Sequence, residues 1–282
     1  MSAIFFYDEK RAYHGERPQQ EDLALWQEYG TVADSNTLIN ALSSASHGSC
    51  FVNTHGPFFP SNAWPALLYF LQNGGNLVSL GNMPFSQPCP LFKDLNIHEM
   101  LAIDNSDAQS IEAGTEYPLL ADKTHLFQAQ ASTCGFVLMP TKHKDCPKES
   151  SSSGPMDARI YPLITANDTA GRAIAAPVVL IENHRGIFAG SRWLFANIDS
   201  SALFWEQGGG EALLDWAKFC AKGTTEIWIK PDFACYYPSE VPTYSLQLEA
   251  LRPNACCQWQ IEITTRYAGK VILQETLALL TV

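Results

Sequence analysis

The sequence predicts an α/β domain built on a doubly wound, mostly parallel sheet with a late hairpin, followed by a partial antiparallel β-sandwich. Three observations predict it. Between Ile4 and Leu80, short apolar runs alternate with segments of helical spacing. Those runs are too apolar to face water, which marks strands of a parallel sheet covered on both faces. After Gly223, helical spacing gives way to strand-like segments alone. The chain is therefore divided into residues 1–223 and 224–282, with an insertion at about 84–157.

Ile4–Tyr7 is the first strand, and the polar, proline-containing stretch 11–20 is a loop. Leu23, Leu25 and Trp26 give Glu21–Tyr29 a helical face that Gly30 ends. Thr31–Ala33 is a brief second strand, and Asp34 or Ser35 caps a second helix reaching Leu42. Cys50–Val52 is a third, buried strand that runs into the turn formers Asn53-Thr54-His55-Gly56-Pro57. Ser61 caps a helix carrying Trp64, Leu67, Leu68, Phe70 and Leu71, which Gly74-Gly75 stops. Asn76–Leu80 is the fourth strand, closed by Gly81-Asn82.

Residues 84–157 hold many prolines and polar residues around the apolar segment Gly135–Met139 and the low-complexity loop Ser150–Gly154. Regular patterning returns at Ala158–Thr165. Ala175–Glu182 and Ile187–Ala189, joined by Asn183-His184-Arg185-Gly186, predict the hairpin. Ser191–Ile198 is a further strand and Gly208–Lys222 a helix. Glu226–Ile229, Tyr244–Ala250, Gln258–Tyr267 and Lys270–Leu280 are strand-like. A sandwich ordinarily has about seven strands, so the expectation is a chain cut from a longer protein, or a sheet that docks on another.

A formal net charge of −11 repels phosphate backbones and anionic lipid, so neither nucleic acid nor a membrane is an expected partner. No apolar run reaches the ~18–20 residues of a membrane-spanning helix. The first residues lack the basic start and long apolar core of a signal peptide, and nothing names a compartment. The eight cysteines form no Cys-x-x-Cys pair and no Cys/His cluster, so free thiols are expected, with no metal and no other cofactor.

The segment Phe51-Val52-Asn53-Thr54-His55-Gly56-Pro57-Phe58-Phe59-Pro60, the helix after it, and Gly74-Gly75-Asn76-Leu77-Val78-Ser79-Leu80-Gly81-Asn82-Met83-Pro84-Phe85 resemble the flavodoxin-like class I glutamine amidotransferase-like fold. They are similar in particular to the amidotransferase-like modules of multidomain glycoside hydrolases of the β-galactosidase type. Gly190-Ser191-Arg192-Trp193-Leu194-Phe195, with its following helix, fits the end of such a module, so the likeness spans roughly residues 3–222.

The resemblance implies a cysteine nucleophile on the tight turn after the fourth strand and a His-Pro-Glu segment on a late strand. The turn here is Leu80-Gly81-Asn82-Met83-Pro84, and the late strand is Arg192-Trp193-Leu194-Phe195-Ala196-Asn197. Neither holds the required group, and Cys89 lies beyond the turn, after Gln87-Pro88. No catalytic residue is therefore expected. The likeness then implies a non-catalytic accessory module, serving scaffolding, oligomerisation or glycan contact in a larger carbohydrate-active protein. Its implied partners are a carbohydrate ligand and either a second copy or downstream domains. The alternative is a hydrolase, glycosidase-associated or amidase/esterase-like, with an active site relocated around His55.

Ligands of open parallel sheets bind outside the carboxyl ends of the strands. Asp8, Asn53, His55, Gly56, Gly81 and Asn82 are expected there, joined by Arg192 and Trp193 from the late strand. His55 and Asn53 have a second reading, in which they satisfy loop backbone. Trp193 and Trp205 are the tryptophans expected at the cleft or an interface, the others reading as core. Asp8, Glu9, Glu112, Glu116, Glu182 and Glu206 include no carboxylate pair whose context selects it for glycoside hydrolysis. The run Gly208-Gly209-Gly210 lacks a following lysine at phosphate-loop spacing and reads as a flexible helix start.

Overall fold

The computed structural model describes residues 3–95, 101–106, 109–114, 123–127, 133–138, 158–197, 199–237, 240–251, 257–267 and 269–281. The chain divides into two compact units, Met1–Gly223 and Thr224–Val282.

In the first unit ten strands share one sheet. Five run parallel: β1 (Ala3–Phe6), β2 (Gly30–Ala33), β3 (Cys50–Asn53), β4 (Asn76–Leu80) and β10 (Arg192–Ala196). Their spatial order, β2-β1-β3-β4-β10, is the 2-1-3-4-5 order of flavodoxin-like sheets, with its switch point between the first and third strands. The other five are β5 (Leu101–Ser106), β6 (Ser110–Ala113), β7 (Thr133–Leu138), β8 (Ala158–Asn167) and β9 (Ala173–Asn183). They extend the sheet antiparallel beyond β10.

The sheet is thus evenly mixed, which corrects the mostly parallel expectation. The insertion is the reason: it supplies β5, β6 and β7, whose short, polar-interrupted segments carry no parallel-strand signature. Its 3-10 turn Thr124–Phe127 lays Phe127 flat on Trp216, with ring centroids 5.6 Å apart. Met139 and the Ser150–Gly154 loop lie outside the described residues. The late hairpin is also redrawn. Its arms are β8 and β9, turned at Asp168–Arg172, where Asp168 N–H donates to the Arg172 carbonyl. Gly186–Phe188 is a 3-10 turn that leads β9 back, antiparallel, into β10.

Helices cover both faces of the parallel half. They are α1 (Gln20–Tyr29), α2 (Leu38–Ser43), α3 (Trp64–Gln72), α4 (Ala202–Glu206) and α5 (Gly209–Cys220). Ala3, Phe5, Val52, Val78 and Leu80 pack with Leu23 and Trp26 of α1 and Leu213 and Trp216 of α5. The intervening residues Ile4, Phe6, Phe51 and Leu77 pack with Leu38 and Leu42 of α2 and Leu67 and Leu71 of α3. Every residue of β1, β3 and β4 is buried, which is why these strands read as largely apolar runs. Each large apolar side chain so buried contributes roughly 1.5–3 kcal/mol. Among the described residues no helix is long and apolar enough to cross a membrane.

The second unit holds two antiparallel pairs, β11 (Thr225–Pro231) with β12 (Tyr244–Ala250), and β13 (Cys257–Tyr267) with β14 (Lys270–Thr281). The Tyr244 hydroxyl lies 2.8 Å from Thr265 Oγ1, linking one pair to the other.

The glycine run at 208–210 is a joint and not a flexible helix start. A Cβ on Gly210 would sit 2.0 Å from Asp22 Oδ1, and the Gly210 carbonyl accepts the Trp26 indole N–H at 3.0 Å. α5 therefore meets α1 through bare backbone. Gly210→Ala is expected to cost about 1–3 kcal/mol by overpacking, seen as a lower urea midpoint with an unchanged slope. An unmoved midpoint would mean that the two helices do not touch here.

Candidate functional site

The loops after β1, β3, β4 and β10 leave the sheet at its carboxyl edge. His55, two residues past β3, ties the first two of them together. Its Nε2 accepts the Asp8 backbone N–H at 2.9 Å, and its Nδ1 stands 3.0 Å from the Ala12 carbonyl. Those two partners require the neutral tautomer with the proton on Nδ1. The ring is fully buried among Phe6, Tyr7 and Tyr13. Burial, with Arg17 and Arg11 adding repulsion, lowers its pKa to about 4 against the countering Ala12 hydrogen bond and Asp8 charge. Both nitrogens are spent on backbone, so His55 has no free site for proton transfer to a ligand. Of its two readings, loop support is the one the geometry carries.

Asn53 does similar work. Its Nδ2 donates to the Gly56 carbonyl at 2.8 Å and to Ser79 Oγ at 3.3 Å, while its Oδ1 accepts the His55 N–H at 3.2 Å. Gly56 (φ +55°) and Gly81 (φ +102°) then pack back to back, and a Cβ on either would come within 3.1 Å of the other's backbone. Gly81 N–H donates to the Ala196 carbonyl at 3.0 Å, fastening the turn after β4 to β10. On that turn Asn82 folds back, its Oδ1 accepting the Met83 N–H at 2.7 Å. Cys89 is an exposed thiol farther along, beyond the Gln87–Pro88 cis peptide bond.

Asp8 accepts from the Ser35 hydroxyl and from the Lys10 and Ser35 N–H groups. Burial raises its pKa, but these hydrogen bonds outweigh that and hold the carboxyl below the ordinary range. It lines a cleft of about 990 Å3 between α1 and the loops after β1 and β2, with Lys10, Arg11, Gln20, Gln27 and Asp34. A smaller cavity of about 240 Å3 opens beside Asn82, lined also by His14, Phe58, Met83, Ser86 and Gln87.

Two expected site residues lie elsewhere. Trp193 is fully buried in the sheet face, edge-on to Phe188 at 4.9 Å. Arg192 stands at the amino end of β10, its N–H donating to Asn76 Oδ1 at 2.9 Å. Its guanidinium holds Glu182 at 2.6 Å and lies over the Phe219 ring. Because β10 runs parallel to β4, only its far end, at Ala196, reaches the edge where His55 and Asn82 sit. Trp205 is buried as well, its indole N–H donating to the Glu16 carbonyl at 2.8 Å. Glu116 lies outside the described residues.

The structure also brings forward a pair that sequence reading missed. His14 Nδ1 lies 2.6 Å from Asp199 Oδ1, and His14 lines the smaller cavity. The two come from opposite ends of the unit, each in a polar loop. The one available signal was the carboxyl-end position of both loops.

No protein-family model matches this sequence, and no curated protein matches it. Among solved structures the chain is similar to a ThuA-like protein from Bacteroides uniformis, at 11% identity over 78% of this chain and 91% of that one, with a TM-score of 0.42. It is also similar to the mmIFT52 N-terminal domain, at 11% identity over 77% of this chain and 97% of that one, with a TM-score of 0.38. Likeness at this level carries no argument about ligand or activity.

The buried imidazole makes stability depend on pH. Folded, His55 takes up its proton only near pH 4; unfolded, it does so near 6.5. The unfolded chain therefore binds the extra proton between those values. This contribution is complete above pH 6.5 and is lost as pH falls toward 4, by about 3 kcal/mol in all. His55→Gln is expected to be less stable at pH 7 and to lack that share of acid sensitivity. Denaturant unfolding at pH 7, 5.5 and 4.5 checks it, and equal acid losses in both proteins would refute a buried neutral His55.

Proposed function

We propose that residues 3–223 form an amidotransferase-like domain that binds a ligand without converting it, as an accessory module of a larger carbohydrate-active protein. The observation that carries this reading is the sealed turn after β4. Gly81 is pressed against Gly56, and Asn82 is bonded to its own neighbour, where thiol chemistry would need an activated sulfur. His55, the histidine nearest to the sheet edge in sequence, is closed on backbone at both nitrogens, which leaves a relocated hydrolase at that residue without its base.

The sugar-binding part of the reading draws on the resemblance of the Phe51–Pro60 and Gly74–Phe85 segments, together with the chemistry of the edge. Its openings are lined by amides, hydroxyls and a few charges next to apolar side chains, a mixture suited to hydrogen-bonding a polyhydroxylated ligand.

Incubation of the full chain with glutamine, p-nitrophenyl esters and p-nitrophenyl glycosides is expected to give no turnover above buffer, and Cys89→Ala to change nothing. A glycan array is expected to show retention. Turnover abolished by Cys89→Ala would overturn the non-catalytic reading, and an array without retention would overturn the sugar-binding one.

A further inference from the structure

We infer that the cavity beside Asn82 is a binding site for a single neutral polyhydroxylated ring, anchored by His14. This rests on the sugar-binding reading above and names its contact. The volume of about 240 Å3 falls below the ~300–1,000 Å3 of pockets for drug-sized ligands, which suits one ring and not a chain of them.

The polar groups around the cavity can be taken one by one. Asn82 has its oxygen committed to the Met83 N–H and keeps its amide N–H donors. Ser86 donates its hydroxyl proton to the Met83 carbonyl at 3.0 Å and keeps oxygen lone pairs. Gln87 offers a side-chain donor and an acceptor. His14, with Nδ1 turned to Asp199 at 2.6 Å, has Nε2 left for a ligand. Phe58 and Met83 add apolar surface.

This is a mixed donor and acceptor set with no lysine or arginine in the lining. An anion would find neither lysine nor arginine in the lining and would approach the Asp199 carboxylate that stands 2.6 Å from His14. A cation would find that carboxylate already faced by His14 Nδ1 at 2.6 Å. A ring hydroxyl, which both donates and accepts, matches the set, and the C–H face of the ring matches Phe58 and Met83.

The anchor is built and not incidental. Glu16 N–H donates to the Ser200 carbonyl at 2.7 Å, Ser200 Oγ donates to the Glu16 carbonyl at 2.8 Å, and the Trp205 indole N–H donates to that same carbonyl at 2.8 Å. These bonds hold the segments carrying His14 and Asp199 side by side. Both side chains stay about a third exposed, at 34% and 36%, so a ligand can reach them.

The test is a titration of the full chain, labelled with 13C at the methionine methyls, with methyl glucoside, methyl galactoside and methyl mannoside, followed in parallel by calorimetry. Glutamine and inorganic phosphate serve as competing chemistries. The Met83 signal, assigned through Met83→Leu, is expected to move saturably with at least one glycoside. His14→Ala is expected to weaken that glycoside about tenfold or more, with His14→Gln restoring part of the loss. Should His14→Ala fail to fold, Ser86→Ala makes the same test and is expected to weaken binding several-fold.

A glycoside that binds by calorimetry while Met83 stays still and His14→Ala has no effect overturns this site and leaves the sugar-binding reading standing. Saturation by glutamine or phosphate in place of any glycoside overturns the ligand class. No binding by any glycoside, together with an array that retains nothing, removes the sugar-binding reading and this inference with it.

Discussion

The carboxyl edge of the sheet hangs on a neutral imidazole. His55 reaches from the end of β3 to the β1 loop, accepting the Asp8 N–H on one nitrogen and donating to the Ala12 carbonyl from the other. A protonated ring would lose the acceptor and leave an amide N–H buried against a cation, a loss comparable to an unsatisfied buried group. The path of residues 8–15 therefore follows from one protonation state. That path sets Asp8 against Ser35 on one side and carries His14 toward Asp199 on the other. A residue that first suggests chemistry is thus spent on architecture.

The glycine pair acts on the neighbouring loops in the same spirit. Gly56 and Gly81 let the backbones after β3 and β4 touch, and the Phe85 N–H then reaches the Gly56 carbonyl at 3.0 Å. Phe85 itself has a positive φ of 54°, a conformation that a bulky residue adopts only when its surroundings fix it. Its ring is wedged against Phe59 and Trp64, each 5.2 Å away. Packing below the sheet edge thus shapes the turn above it. A reactive side chain on an open elbow needs the opposite arrangement, with space around the turn and a free helix end behind it.

The parallel half of the fold was legible because burial on both faces leaves a direct trace. Every residue of β1, β3 and β4 is apolar or is a small polar group bonded within the core. The same double burial explains the misplacement of Trp193 and Arg192. An unbroken apolar strand has no period to show which end meets the cleft, and Arg192 proved to be an amino-end residue paired with Glu182. The antiparallel extension was hidden for another reason. β5 and β6 are short segments whose pairing is set by partners far along the chain. His14 and Asp199 were hidden for that reason too: no local pattern joins two polar loops at opposite ends of a unit.

The committed oxygen of Asn82 and the open polar cavity beside it follow from the same geometry. Hydrogen bonds draw Asn82 Oδ1, the Ser86 hydroxyl proton and both His55 nitrogens onto backbone. They also preorganise whatever polar atoms are left over, since a side chain already fixed loses little further freedom when a ligand arrives. Asn82 donors and Ser86 lone pairs are what those backbone bonds leave over. On the proposed reading, an edge so arranged would hold a ligand in its ground state and not stabilise a transition state.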